Sequence, residues 1–369
     1  MKRIALFTFL LIQLVTKAQD PVSSQFYFNQ LYLNPAFAGI NHSARFGGTY
    51  RNQWTAIPSK FVTYNCWADI YTPSMFQGGL GIMAMQDISG EGFLKTTSVG
   101  IIQSYEFILP NKIARLRTGY NVTITNKKID WSKLVFSDQL DGIHGNVNTS
   151  SVSAGNPDGK TFADIDAGLI LEFRKIQKEK FIVTQSAGYA ANHLTQPNES
   201  LLGTEYNILP MKHTMHYTLM IELRDDKSPW FVSPNIIYER QGTTPEKGVF
   251  PYNKKSQFST LNLGIYLMHK PLVTGFFYRK RSIAKTKDRD SFICFLGVYL
   301  ETSKTSIVKI GYSYDFTINN LASNTSGSHE ISLSMEFKDF KLISKKAQMR
   351  KRNKRVMDCT DFGDHTMLF

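Results

Sequence analysis

Residues 305–316 read TSIVKIGYSYDF. Successive side chains of an extended strand point to opposite faces. Ser306, Val308, Ile310, Tyr312 and Tyr314 therefore share one face, and Ile307, Lys309, Gly311, Ser313 and Asp315 share the other. The sorting recurs near the C-terminus, where Ile331, Leu333, Met335 and Phe337 oppose Glu330, Ser332, Ser334, Glu336 and Lys338. It recurs again where Ala163, Ile165, Ala167, Leu169, Leu171 and Phe173 oppose Asp164, Asp166, Gly168, Glu172 and Arg174. Such alternation predicts strands with one apolar and one polar face. If the apolar face meets lipid, sliding residues 305–316 by one position would push Lys309 and Asp315 into the bilayer. A basic residue at the midplane costs about 2–4 kcal/mol and an acidic one less, so Val308 and Ile310 are expected on the lipid side. Val308→Arg should then impair membrane assembly far more than Ile307→Arg.

Working outward, about fourteen such segments fall near residues 43–53, 60–72, 79–88, 93–108, 112–128, 161–174, 180–193, 211–224, 230–240, 254–268, 271–280, 290–302, 305–316 and 327–340. No long helical pattern competes with them. Their connections alternate in length. Short ones are Pro73 to Gly78, Leu109 to Asn111, Lys175 to Glu179, Asp225 to Pro229, His269-Lys270 and Ser303-Lys304. Longer ones are Ile129 to Lys160, Leu194 to Pro210, Gln241 to Asn253, Arg281 to Arg289 and Thr317 to Ser326, with Trp54 to Ser59 and Ser89 to Gly92 as brief exceptions. A soluble β-sandwich alternates too, but it has no reason to sort long and short loops onto opposite ends. Nor need it keep aromatics near strand ends, as Trp54, Trp67, Tyr71, Trp131, Trp230, Tyr278 and Tyr299 are here. The expectation is an all-β fold: a transmembrane, outer-membrane, antiparallel β-barrel of about 14 strands spanning residues 43–340, with a water-filled polar lumen. An even strand count puts both termini on the short-turn side, the periplasm.

Residues 1–18, MKRIALFTFLLIQLVTKA, have the form of a secretory signal peptide. Lys2 and Arg3 are the positive end, Ile4 to Val15 the apolar run, and Thr16-Lys17-Ala18 the small-residue cleavage site. The run is too short to cross a bilayer, and the mature chain is expected to begin at Gln19. The 369 residues are 42% hydrophobic and 20% charged, which is too apolar for disorder. The net charge of +13 suggests nucleic acid, but an exported chain has no access to it, so none is expected as a partner. The three cysteines, Cys66, Cys294 and Cys359, are far apart and define neither a disulfide framework nor a zinc site. Cys66 and Cys294 follow apolar faces and read as small hydrophobes.

The search for chemistry finds little. His213 and His216 sit three apart in KHTMHY, which on a strand puts them on opposite faces and prevents joint metal ligation. Asp164 and Asp166 share a face, as do Glu330 and Glu336, but alternating carboxylates are what a barrel lumen carries anyway. No GxSxG, HExxH, CxxC or phosphate-cradling glycine loop is present. The expectation is a non-enzyme with no catalytic residues, metal or cofactor.

Two segments exceed a bare barrel. Residues 19–42 are rich in aromatics and amides without clean alternation, and Asn34-Pro35 and Ala38-Gly39 are turn signals. Phe26, Tyr27, Phe28, Tyr32 and Phe37 must pack somewhere: inside the lumen, under its periplasmic mouth, or as an extra strand. Residues 341–369 form a basic tail. Lys341, Lys345, Lys346, Arg350, Lys351, Arg352, Lys354 and Arg355 come without an acidic residue before Asp358. It reads either as a solvated extension or as a periplasmic dock for an acidic partner, anionic headgroups or peptidoglycan.

The N-terminal segment together with Thr49 to Trp54, TYRNQW, resembles the PorP/SprF family of the type IX secretion system in Bacteroidetes. Members typically open the mature chain with Q-D-P-x-x-S-Q-Y…N-P-A-x-A-G, followed by Y-R-x-Q-W. Gln19, Asp20, Pro21, Ser24, Gln25, Asn34, Pro35, Ala36, Ala38 and Gly39 fit, as do Tyr50, Arg51, Gln53 and Trp54, with Phe26 in place of the usual tyrosine. ADIDAGL (163–169), ANHLTQP (191–197), IGYSYDF (310–316) and HEISLSMEF (329–337) look like later family motifs in the same order. The long basic tail departs from a minimal member. The resemblance implies an outer-membrane barrel without enzymatic activity, in machinery that exports adhesins and enzymes to the surface and is often tied to gliding motility. Its implied partners are the C-terminal domain of a secreted adhesin or cargo protein, periplasmic ring or motor components, and outer-membrane lipid. Gln25, Asn34, Pro35, Gly39, Tyr50, Arg51 and Trp54 are the motif residues it marks as structural or partner-binding. A diffusion channel or a transporter of hydrophobic compounds is the alternative, and an outer-membrane hydrolase a remote third.

Overall fold

The computed structural model describes residues 20–57, 60–72, 77–90, 94–110, 114–141, 144–147, 149–150, 158–173, 176–178, 180–201, 207–223, 229–242, 258–283, 286–303, 305–318 and 325–338. The expected signal peptide, the basic tail with its docking residues, and Cys359 lie outside the described residues.

Fourteen long strands form the wall. They are β1 (Ala44–Gln53), β2 (Lys60–Thr72), β3 (Gly78–Gly90), β4 (Leu94–Ile108), β5 (Ala114–Lys128), β6 (Lys160–Phe173) and β7 (Phe181–Asn192). The second half comprises β8 (Lys212–Leu223), β9 (Trp230–Gln241), β10 (Phe258–His269), β11 (Leu272–Ile283), β12 (Thr286–Ser303), β13 (Ser306–Thr317) and β14 (Ser328–Phe337). Each pairs antiparallel with its chain neighbours, and β14 pairs with β1 from Gln53↔Ser328 to Ala44↔Phe337, closing the ring. Closure removes the unpaired edges that an open sheet would present to lipid.

The two faces are inverted relative to a soluble protein. On β13, Ile310 and Tyr312 are 44% and 42% exposed, whereas Lys309 and Asp315 are 5% and 3% exposed. On the neighbouring β14, Leu333 pairs with Ile310 and Ile331 with Tyr312, extending the apolar outer surface. Exposed aliphatics over buried charges are the signature of a barrel whose outside meets lipid. His213 and His216 fall on opposite faces, with His216 inward, and Cys66 lies on the outer face.

Three expectations change. Arg281 to Arg289 is mostly not a loop: β11 continues to Ile283 and β12 starts at Thr286, with Arg281 paired to Asp288. Backbone pairing beyond the bilayer needs no apolar face, so a charged stretch can extend the hairpin. Trp67 and Tyr299, read as aromatics at strand ends, do not face outward. Both are buried on the inner face, with Arg45 5.5 Å over the Trp67 ring and Lys309 Nζ 5.0 Å over that of Tyr299. Nor is the inner face simply polar and wet. Ile237, Tyr266, Met268, Val273, Phe277, Ile293 and Phe295 on β9 to β12 are all buried inside. Residues 272–277, LVTGFF, are apolar on both faces, so alternation alone could not reveal this.

What covers that apolar half is the N-terminal segment. Residues 20–43 form no strand. They run through the lumen as turns, a single-turn α1 (Gln30–Leu33) and a 3-10 turn (Pro35–Phe37). Phe26 meets Phe277 at 6.0 Å between ring centroids, Phe28 meets Phe295 at 5.7 Å and Tyr27 meets Tyr266 at 6.0 Å. The Tyr27 hydroxyl donates to Asn235 Oδ1 at 2.5 Å, so the buried phenol keeps a polar partner. The segment also sets a direction. Asp20 binds Lys212 and His193 at the end carrying the long loops, whereas Gly39 and Ser43 lie at the short-turn end. The barrel strands begin and end on the short-turn side as expected, but Asp20 sits at the opposite mouth. The segment therefore starts at the mouth opposite the one where β1 begins, held there by Lys212 and His193.

Candidate functional site

The filled lumen is built from in-facing charges of the wall and polar groups of the segment, brought together in four clusters. In the first, Arg51 of β1 lies 2.8 Å from Asp315 of β13 and 3.1 Å from Glu330 of β14, and Arg279 of β11 lies 3.1 Å from Asp315. Ser24 sits among them. Its backbone N–H donates to Glu330 at 2.7 Å and its hydroxyl to Asp315 at 2.6 Å, while Arg51 donates to the hydroxyl at 2.7 Å. Gln25, fully buried, donates through Nε2 to the Glu330 carbonyl at 2.7 Å and to Ser313 Oγ at 3.2 Å, and Ser332 donates to its Oε1. Two acids face two bases, and the segment adds donors to both acids through the Ser24 N–H and hydroxyl, which offsets part of the cost of burying the charges.

The second cluster centres on Asn34. Its Nδ2 donates to the carbonyls of Leu169 and Tyr189 at 3.1 and 3.2 Å and lies 3.2 Å from His216 Nε2. Its Oδ1 accepts from the Ala36 N–H at 2.9 Å and caps the 3-10 turn that Pro35 starts. Wall glycines admit this backbone: a Cβ on Gly119 would stand 2.5 Å from Ala36 N, and one on Gly168 only 2.0 Å from Asn34 Oδ1. Arg117 then donates to the carbonyls of Ala36 at 3.2 Å and Ala38 at 2.9 Å, and pairs with Glu106.

The third cluster anchors the exit into β1. Gly39 has φ +67, a conformation that favours glycine, and donates its N–H to Asp69 at 2.6 Å. Arg45 holds Asp69 at 2.8 Å and Gln30 Oε1 at 2.6 Å. A Cβ on Gly79 would meet the Ala38 carbonyl oxygen at 2.3 Å, so segment and wall touch backbone to backbone.

The fourth cluster holds the start of the segment. Asp20 lies 3.0 Å from both Lys212 Nζ and His193 Nε2, and His193 Nδ1 faces Asp164. Burial disfavours the imidazolium, but Asp20 and Asp164 outweigh it and raise the His193 pKa to about 10. Burial alone would push Asp20 up, yet Lys212 and His193 hold it well below the ordinary carboxylate range. Ligand atoms of Asp164, Asp166 and His193 lie within 4.8 Å of one another, a spacing a metal ion also uses. Both ring nitrogens of His193 face carboxylates, however, so the ring joins Lys212 as a second cation of this cluster and has no lone pair to offer a metal.

The structure thus brings Gln25, Asn34, Pro35, Gly39 and Arg51 into one continuous contact between segment and wall. Tyr50 and Trp54 are not part of it. Tyr50 is on the outer face with its ring 5.2 Å from that of Tyr64. Trp54 follows β1 with φ +58, donating its N–H to the Gly327 carbonyl at 2.8 Å. Sequence reading passed over Arg279, Arg45, Asp69, Arg117 and His193. The available signal was a charge on the inward register of a strand, but nothing local says which inward charge meets the segment.

A family model described as type IX secretion system membrane protein PorP/SprF matches residues 15–335 of the chain. Among solved structures, the chain is similar to the toluene transporter TbuX of Ralstonia pickettii, at 10% identity over 83% of this chain and 92% of that one with a TM-score of 0.43. It is also similar to a FadL homologue of Pseudomonas aeruginosa, at 11% identity over 83% and 93% with a TM-score of 0.42. A third is the outer membrane protein Omp33 of Acinetobacter baumannii, at 9% identity over 80% and 97% with a TM-score of 0.36. No curated protein sequence matches the chain. The closed antiparallel ring with its apolar outer face, together with the family model, makes the molecule an outer-membrane barrel.

Proposed function

Since the chain belongs to the PorP/SprF family of type IX secretion system membrane proteins, we propose that it is a non-catalytic outer-membrane component that supports export and surface anchoring of a partner adhesin or cargo protein. In this reading the partner's C-terminal domain docks at the long-loop end, the cell-surface side of such barrels. Periplasmic ring or motor components engage the other end, with the basic run of Lys345, Lys346, Arg350, Lys351, Arg352, Lys354 and Arg355 as their dock. The observation that carries it is the segment 20–43 lying in the lumen, tied to the wall by buried ion pairs and hydrogen bonds. A barrel filled by its own chain suits a rigid platform for a protein better than a conduit. The alternative, a diffusion channel or hydrophobic-compound transporter, requires a path past that segment.

Planar-bilayer conductance and co-purification together test the reading. A platform gives no steady open-pore current and retains the C-terminal domain of its secreted partner. Deleting residues 345–369 should release periplasmic partners while the barrel stays folded. A stable large conductance with no retained protein would favour the channel.

A further inference from the structure

The outward face of the wall carries a charge pattern of its own. Every acid of the fourteen strands whose side chain is described takes the inward parity. Among the described residues, the charged side chains on the outward parity are all cations: Lys95, Lys128, Arg240 and Lys280. Lys95 is the second residue of β4, Lys128 the last of β5 and Arg240 the next to last of β9, and Lys280 stands where β11 nears its hairpin. All four are therefore at the long-loop ends of their strands, and no described outward cation stands at the short-turn ends. A long basic side chain can lie on apolar wall and reach water at either rim. A bias to one rim needs a cause specific to that rim.

The two lysines of β4 and β5 show that cause most directly. Thr96, Ser98 and Gly100 of β4 line a lumen cavity of about 480 Å³ with Thr123, Thr125 and Lys127 of β5. Val99, Ile101, Val122 and Ile124 are exposed on the other side, and Lys95 and Lys128 continue those outer rows. They also stand directly opposite each other in the ladder. Like charges so placed repel, and among the described residues neither forms an ion pair. One step toward the membrane centre, Gln86, Thr97, Asn126 and Thr161 pair in register across β3 to β6 on the same face. Gln86 donates to Thr97 Oγ1 at 3.3 Å and Asn126 to Thr161 Oγ1 at 2.9 Å. A further step brings Ala84, Val99, Ile124 and Ala163. From the loops inward the order is two cations, a row of amides and hydroxyls, then aliphatics. Across the barrel the same order begins again. Tyr278, Phe292 and Phe316 form an outward aromatic row of the kind that marks headgroup level, and Lys280 stands one step nearer the loops, opposite Arg289 in the ladder.

We propose that the outward face of β3 to β6 at the long-loop rim binds a phosphorylated glycolipid of the outer leaflet. Lys95 and Lys128 share its phosphate, which cancels their mutual repulsion and adds charge-assisted hydrogen bonds. The amides and hydroxyls of Gln86, Thr97, Asn126 and Thr161 meet its sugar, and its acyl chains lie along Val99 and Ile124. Long loops face the cell surface in such barrels, so the anionic lipid that complements the basic rim is the one in that leaflet. The inference stands independently of the secretion role.

Native mass spectrometry of the full mature chain in detergent tests it, with diphosphoryl lipid A, phosphatidylglycerol and phosphatidylethanolamine as probes. Lipid A is expected to be retained about tenfold better than either phospholipid, the equivalent of one charge-assisted hydrogen bond. Lys95→Ala combined with Lys128→Ala should cut that retention severalfold, while Lys178→Ala at the short-turn mouth leaves it unchanged. Lys128→Glu separates binding from folding. It sets an acid opposite Lys95, so the lipid-free barrel should keep its fast-migrating form to a higher temperature while lipid A retention falls. Heat-modifiable migration checks that each variant is folded. Retention unaltered by the double substitution, or phosphatidylglycerol held as well as lipid A, overturns the proposal. Neither result would bear on whether a secreted partner is retained.

Discussion

Arg51 and Asp315 stand 264 positions apart in the chain and 2.8 Å apart in the barrel, with the Ser24 hydroxyl hydrogen-bonded to both. This pair joins the first strand to the thirteenth and clamps the N-terminal segment between them. The seam where the barrel closes is therefore held by side chains as well as by the β1–β14 ladder.

Arg51→Leu removes one cation from a buried group of two acids and two bases. Leaving a buried charge without its partner costs about 3–5 kcal/mol. The variant should lose its folded, fast-migrating form in detergent at a clearly lower temperature than the parent. An unchanged transition temperature would mean that the cluster is not holding the seam.

Lipid and lumen faces are separable by arginine substitution. Ile307 is inward but packed in the core cluster, so Ile307→Arg is disruptive for its own reason and makes a poor control. Ile310→Arg, on the exposed face, should cost about 2–4 kcal/mol if that position is near the bilayer midplane. Thr123→Arg, on the cavity wall, should be far milder. Assembly yield in outer membranes, compared between the two, decides.

The tie at the start of the segment should weaken in base. The His193 pKa is raised from 6.5 in the unfolded chain to about 10 in the barrel, so the folded state binds the extra proton. Its stabilising contribution is complete below pH 6.5 and is lost as pH rises toward 10. Hydrogen exchange of residues 20–25 should accelerate over that window, and His193→Gln should abolish the pH dependence. A flat profile in the parent would refute the imidazolium bridge.

An epitope placed immediately ahead of Asp20 should be reached by antibody on intact cells. Asp20 is fixed by Lys212 and His193 at the long-loop mouth, and long loops face outward in such barrels. Detection only after permeabilising the outer membrane would reverse the assigned direction.

How much was readable in advance depended on whether the determinant was local. Alternation in stretches such as 305–316 and 327–340 locates strands within a few residues, because a two-residue period under a lipid constraint leaves one register. The 281–289 hairpin reads as loop because its pairing lies where side-chain polarity no longer reports burial. Trp67 and Tyr299 read from type and position alone as aromatics at strand ends, yet the strand's parity turns both inward. Within the segment, the aromatics announced that it must pack, and Asn34-Pro35 and Gly39 announced turns. Their partners were not announced, because an inward arginine on β5 looks the same whether it faces water or the Ala36 carbonyl.

The sequence by itself settled the strands, their lipid faces and the even count, since each follows from side-chain order along a few consecutive residues and the cost of putting charge in hydrocarbon. Only the tertiary structure decided that the N-terminal segment lies inside the lumen, that Asp20 lies at the long-loop mouth, and that Arg51, Asp315 and Ser24 meet. Those outcomes depend on which side chains meet across the barrel's interior, and that is set by closure of the ring around the segment rather than by any local pattern.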